Sequence, residues 1–438
     1  MATNKLNGKR NPWTWIPTLY FAEGLPYVAV MTVAVVMYKK LGVSNADIAL
    51  YTSWLYLPWV IKPIWSPFID LIKTKRWWVN SMQTLIAAAF AGVAFFIPTD
   101  FYVQVTLAFF WIMAFSSATH DIAADGYYML ALDEGDQSLF VGIRNIFYRF
   151  ATIFGQGILV MIAGLIETGK LFPSIAADRK IVLSWTICFY LLAGIFIATT
   201  VYHRFILPKP ASDSPRSDIS AKTILKEFVN TFVSFFKKPH MGLILFFLLT
   251  YRLGESQLAK IAQPFMLDNG AAGGLDLPTA QVGMFYGTFG VIALLLGGIV
   301  SGIVVSRDGF RKWIIPMALM INIPDLLYVL LATLLPNSSI LVALCIILEQ
   351  FGYGFGFTAY MMFLMFIAQG AQKTSHYAIG TGFMAAGMMI PGMFAGMIQE
   401  AIGYPSFFVW VCLCTIPGII AAFLVKRFIP AEYGRKNK

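Results

Sequence analysis

The sequence predicts an all-α membrane protein with about twelve transmembrane helices arranged as two six-helix bundles. Three observations carry this. Of 438 residues, 58% are hydrophobic and 12% are charged, whereas soluble domains carry about 25% charged residues. Apolar runs of roughly 20 residues, the length that crosses a bilayer, recur along the whole chain with short turns between them. One long polar segment divides these runs into two groups of equal size.

Taken in order, the crossings are expected near 14–38, 46–69, 77–98, 101–131, 139–167 and 181–206, then 240–267, 280–305, 313–335, 339–369, 377–402 and 404–427. Residues 1–206 form the first bundle and 240–438 the second. The segment 207–239 links them; it opens rich in Pro and Ser and then turns amphipathic and basic over 221–236. A helix of that character lies along a membrane surface.

Lys and Arg set the orientation. Lys5, Lys9, Arg10, Lys73, Lys75, Arg76, Arg204, Lys209, Arg216, Lys222, Lys226, Lys237, Lys238, Arg307, Arg311, Lys312, Lys373 and the basic C-terminus share one side. The other side holds only Lys39, Lys40, Lys170, Arg179 and Lys180. Both termini are therefore expected in the cytoplasm. The net charge of +10 reads as topology, not as a nucleic-acid surface. Cys188, Cys345, Cys412 and Cys414 fall inside apolar runs and read as packing residues. No metal site and no cofactor loop is expected, and the polar start MATNKLNGKRNPW does not read as a signal peptide.

The halves echo each other. SPFIDLIKTKRW (66–77) follows the second crossing and SGIVVSRDGFRKW (301–313) follows the eighth. Each closes a helix with small residues, an acid and a basic turn, which makes Asp70, Arg307 and Asp308 gating candidates. This turn resembles the cytoplasmic loop signature of the major facilitator superfamily, whose fold is built from three-helix repeats around a midplane substrate site. That resemblance implies that the first helix of each triplet lines a central cavity.

Membrane-depth charges agree with that arrangement. Ionisable residues inside a bilayer are costly and mark function by default. Glu23 lies on the first crossing, Asp121 and Asp125 on the fourth, Glu255 on the seventh and Glu349 on the tenth. Asp325, beside Pro324 on the ninth, reads as a packing or kink group. Asp121 and Asp125 share a helix face, about 6 Å apart along the axis. At about 1.5 Å per residue, Asp121 reaches the depth of Arg149, and Asp125 that of Arg144, which predicts two ion pairs across the fourth and fifth crossings. Arg252 and Glu255 either neutralise each other or divide their roles, the arginine taking a substrate carboxylate and the acid a proton. Lys260 and Glu349 are candidates for a gate that pairs in one state. His120 is expected to hydrogen-bond between helices. Tyr20, Trp54, Tyr56, Trp59, Trp65 and Trp111 offer rings for the C–H faces of a sugar, with Gln350 as a polar neighbour.

Three stretches carry a narrower resemblance. AEGLP (22–26), LPWVIKPIWSPFID (57–70) and SATHDIAADGY (117–127) resemble the GLP, LPxxxKxxWxPxxD and SAxQDIxxDAY elements of the AmpG-type muropeptide permeases, within the peptide/acetyl-coenzyme A transporter family. His120, Gly126 and Tyr128 depart from that pattern. Lys62, Asp70, Asp121 and Asp125 occupy matched positions. The resemblance implies an inner-membrane importer of N-acetylglucosaminyl-anhydro-N-acetylmuramyl peptides, driven by protons. The expected site has Asp121, Glu23, Glu255 and Asp125 carrying protons. Arg149, Arg252, Lys260, Tyr20, Trp54, Trp111, Glu349 and Gln350 hold the substrate, and Lys62, Asp70, Asp125, Arg144, Arg307 and Asp308 form the gates. The partners expected are a glycopeptide or related anion, protons and the bilayer, with no nucleic acid, and the chain is expected to be a monomer and not an enzyme. A different anionic ligand (acetyl-coenzyme A, a siderophore or an amino sugar), a drug or metabolite exporter, and a non-transporting sensor are the alternatives.

Overall fold

A computed structural model describes residues 10–214, 221–370 and 373–435; the side chain of Asp70 lies outside the described residues, as do Lys5, Lys9 and Arg216. Helix α1 (Pro12–Lys40) begins with Asn11 accepting from the Trp13 amide and Pro12 at its first position. Its interior Pro26 lacks a backbone donor, and the π-helical turn Ala29–Val33 follows directly. Helix α2 comes in two pieces, Asn45–Trp54, capped by Ser44, and Leu57–Ile72. Next come α3 (Lys75–Phe96), α4 (Tyr102–Ala131), α5 (134–167, π-helical over Ile153–Leu159) and α6 (Lys180–Ile206).

A linker helix, Ala221–Phe236, lies against the end of the second half; its Phe235 ring is buried and stacked on Phe383. Helix α7 is broken into Met241–Thr250 and Leu253–Leu267. Helix α8 (Thr279–Asp308) is π-helical over Gly283–Gly290, and α9 (Phe310–Leu334) is interrupted by a 3-10 turn at Ile323–Asp325, where Pro324 breaks the ladder. After α10 (Ser339–Ile367), a continuous run turns at Gly403, whose φ of +75° suits only a residue without a Cβ, and so divides into α11 (373–402) and α12 (404–428). The crossings fall where the apolar runs placed them.

The apolar cores follow the halves. Two buried clusters draw on residues between Trp15 and Leu207, and a third runs from Phe235 to Ile429. The fourth spans Leu258–Val411 and reaches over to Ala49 of α2. The halves meet where α5 faces α8 and α2 faces α11. Glycine permits the first contact: a Cβ on Gly287 would stand 2.0 Å from the carbonyl oxygen of Gln156, inside any allowed separation. All four cysteines are free, as expected of packing residues.

Candidate functional site

Between the halves lies a cavity of about 1550 Å³. Drug-sized pockets occupy roughly 300–1,000 Å³, so this one accepts a larger ligand. Its rim includes Lys73, Lys75, Ser212 and Ser375, on the face that carries the chain ends and the linker. On the opposite face the halves are latched together. Lys39 Nζ at the end of α1 lies 2.6 Å from Asp268 Oδ1 at the end of α7. The Tyr404 hydroxyl donates to Asp268 at 2.5 Å, and Asn45 Nδ2 donates to Gln399 Oε1 at 2.7 Å. Glu167 of α5 accepts from Thr279 of α8 at 2.6 Å. The molecule is therefore open on its terminal face and shut on the other.

The break in α7 builds the basic wall. Arg252 sits at the break with φ −113° and ψ 24°, outside helical geometry. Its guanidinium lies over the rings of Tyr353 (5.3 Å) and Phe357 (4.9 Å) and donates to the Tyr353 hydroxyl at 2.5 Å. Aromatic faces stabilise a desolvated cation without cancelling its charge. Neither Arg252 nor Glu255 forms a contact ion pair with any described residue; the two lie within electrostatic reach of each other across the break without touching. Lys260, one side of the expected gate with Glu349, donates instead to Thr52 Oγ1 at 3.0 Å and lies over the Tyr56 ring. Arg149 also faces the cavity, free of ion pairs among the described residues. The lining holds six basic side chains (Lys62, Lys73, Lys75, Arg149, Arg252, Lys260) against three acidic ones (Asp125, Asp213, Glu255).

In the first half, one expected pair is present and one is replaced. Arg144 Nη1 is 2.9 Å from Asp125 Oδ1, and the Tyr20 hydroxyl donates to the same oxygen at 3.1 Å. Asp121 does not meet Arg149. Lys62 Nζ of α2 lies 3.4 Å from Asp121 Oδ2, and the Trp59 indole donates to that oxygen at 3.1 Å. Matching depth leaves the rotation about the helix axis undetermined; Asp121 turns toward α2 and Arg149 toward the cavity. Glu23 is buried within electrostatic reach of both pairs, with Oε2 lacking a hydrogen bond. His120 meets Gln83 at 3.0 Å, and Gln83 in turn meets His203 at 3.0 Å, a link between helices of the expected kind.

Other expected ligand contacts lie elsewhere. Tyr20 is enclosed with Asp125, Trp54 is exposed on the outer surface, and Trp111 stacks on Phe115; none of the three lines the cavity, and neither does Glu349. Arg307 and Asp308 pair with each other at 3.0 Å, and Trp313 and Lys312 also hold Asp308, so these contacts stay within the α8–α9 turn. Tyr56 and Trp59, two of the rings the sequence offered for a sugar face, do line the wall, which also includes groups that the sequence alone did not single out for the ligand: Tyr27, Gln156, Tyr286, Tyr353 and Phe357. Gln156 and Tyr286 sit in π-helical turns, where an extra residue per turn re-aims side chains. Periodicity at 3.6 residues carries no signal of this.

The sequence profile of the Major Facilitator Superfamily matches residues 18–259. The chain is 23% identical over 410 residues to the Rickettsia conorii protein named "Putative transporter AmpG 4", covering 92% of this chain and 93% of that one. It is 23% identical over 432 residues to the anhydromuropeptide permease of Escherichia coli, covering 96% and 80%. Among solved structures, a D-xylose–proton symporter superposes with a TM-score of 0.72 at 14% identity, over 97% of this chain and 99% of that one. The nucleoside transporter NupG gives 0.66 at 15% identity, over 93% and 96%. A helical chain with a central cavity open on one face, matched by that profile over more than half its length, belongs to the Major Facilitator Superfamily as a secondary transporter of the AmpG type.

Proposed function

We propose that the protein imports anhydromuropeptides, N-acetylglucosaminyl-anhydro-N-acetylmuramyl peptides, across a bacterial inner membrane in symport with protons. The observation that carries this reading is the cavity's combination of size, charge and rings. A disaccharide-peptide needs more room than a simple sugar, and about 1550 Å³ supplies it. Its carboxylates call for cations that are not already paired, and Arg149, Arg252 and Lys260 meet that need. Its sugar faces suit Tyr27, Trp59, Tyr353 and Phe357. The name of the Escherichia coli relative points to the same ligand class.

In this reading 1–206 and 240–438 are the rocking bundles, 207–239 is their tether, and the terminal face is cytoplasmic. Glu23, with an unsatisfied carboxylate oxygen beside the Asp121–Lys62 and Asp125–Arg144 pairs, is the proton-carrying group of the first bundle. Those pairs hold α2, α4 and α5 in their present arrangement and exchange partners as the bundles rock. The test is uptake of a radiolabelled anhydromuropeptide by proteoliposomes with and without an imposed pH gradient. Accumulation above the external concentration only with the gradient supports symport. Equilibration without accumulation removes the proton, and no uptake at all removes the ligand assignment.

A further inference from the structure

The second bundle contains a cluster that the ligand-binding reading leaves unused. Glu255 of α7, Asp325 of the α9 break and Glu349 of α10 each bring a carboxylate oxygen within 4.8 Å of the others. They are 4%, 1% and 2% exposed. Among the described residues none of them has an ion pair. Both oxygens of Asp325 and Oε2 of Glu255 lack any hydrogen bond. The Gln350 amide donates to Glu349 Oε2 at 3.0 Å. The Tyr328 hydroxyl, buried within electrostatic reach of Glu349, is also without a hydrogen-bond partner of standard geometry. Asp325 sits at the α9 break, as expected of a kink group, and there meets two other acids, while Glu349 is no cavity contact.

Three carboxylates this close, in a medium of low dielectric, cannot all stay ionised without a compensating cation. The first bundle solves the same problem with Lys62 and Arg144. Among the described residues the cation at hand is Arg252, three residues before Glu255 at the α7 break. The remaining neighbours supply no charge: Tyr286 from α8, Tyr328 from α9, Gln350 and Tyr353 from α10, and Cys412 from α12 beside Asp325. Two protons on the three acids leave one negative charge, which Arg252 balances. Glu255 alone of the three lines the cavity, so it is the point of entry, and the other two lie behind it.

We propose that Glu255, Asp325 and Glu349 form a proton-holding site of the second bundle, loaded from the cavity through Glu255 and shared by the three carboxyls. This rests on the symport reading and locates its coupling ion. Protons from cavity water attach to the Glu255 carboxylate, which passes them to the two carboxylates behind it and is ionised again each time; once those two are loaded, a further proton stays on Glu255. The linkage to the ligand is electrostatic. With Glu255 ionised, its charge offsets the field of Arg252; with Glu255 protonated, Arg252 is free for an anionic ligand. Proton loading and anion binding then favour each other, and reciprocity requires the ligand to promote proton uptake.

The test needs no ligand. Infrared difference spectra of the purified full-length protein in liposomes, taken between acidic and alkaline pH, report the C=O stretch of protonated carboxyls. The expected result is a protonated-carboxyl band that loses intensity in Asp325→Asn and again in Glu349→Gln, each variant first checked for a native elution profile. Glu255→Gln should slow the appearance of the band after a pH jump. A band unchanged in Asp325→Asn and Glu349→Gln overturns the proposal. So does a band that disappears when sodium is added at constant pH, which assigns the site to a metal ion. Uptake of the anhydromuropeptide is a separate readout: its failure in the unmodified protein sinks the transport reading, whatever the infrared result.

Discussion

Neutralising Asp268 should loosen the closed face. Asp268 is the hub of the latch: it receives Lys39 Nζ at 2.6 and 2.8 Å on its two oxygens and the Tyr404 hydroxyl at 2.5 Å. The Lys39 and Asp268 side chains are 15% and 19% exposed, so screening by water is partial. A hydrogen bond to a charged partner contributes about 1.5–3 kcal/mol when well enclosed, and the residual exposure places this pair at the lower end. Asp268→Asn keeps the shape and removes the charge, so the closed-face state should lose about 1.5 kcal/mol relative to its alternative, roughly tenfold in their ratio. The perturbation is read by electron-spin distance measurements between labels at Asp100→Cys and Asn337→Cys, with the four native cysteines replaced by alanine. These positions lie exposed in the α3–α4 and α9–α10 turns of the closed face, one in each half. Asp268→Asn should add a longer-distance population, and Lys39→Met should add a similar one. An unchanged distance distribution in both variants would refute the view that this pair holds the face shut.

Four further outcomes follow from the same contacts. Lys62→Met should destabilise the protein by about 1–2 kcal/mol in a thermal melt, because it strands the Asp121 charge, and adding Asp121→Asn should recover most of that loss; exchanging the charges of Asp121 and Arg149 should recover none. Arg252→Lys keeps the charge but loses the planar contact with Tyr353 and Phe357, which should weaken anhydromuropeptide binding about tenfold by calorimetry. Gly287→Ala drives a methyl into the Gln156 carbonyl, so it should cost the closed α5–α8 contact about 1–3 kcal/mol and shift the same spin-label distances. Trp54→Ala and Trp111→Ala should leave ligand affinity within about twofold, while Tyr353→Ala lowers it about tenfold.

The helices were legible because each is written as a contiguous apolar run of bilayer length, and the charged residues stood out against that background. Even the caps at Asn11, Ser44 and Ser338 are local features. Depth was legible too, since a helix rises by a constant amount per residue, and it paired Arg144 with Asp125 correctly. It failed for Asp121, where two arginine and lysine candidates at suitable depth lie in different directions around the axis.

The sequence by itself determined which elements form, how many times the chain crosses and which charges lie within the membrane; these depend on neighbours along the chain. Only the tertiary structure decided that Asp121 faces Lys62, that the α7 break turns Arg252 across two aromatic rings, and that Asp325 joins Glu255 and Glu349. Those outcomes depend on rotation about each helix axis and on local breaks at Pro324 and Tyr251–Arg252. Both are set by close packing between residues far apart along the chain, such as Lys62 with Asp121 and Arg252 with Tyr353, to which a repeat read along one chain is blind.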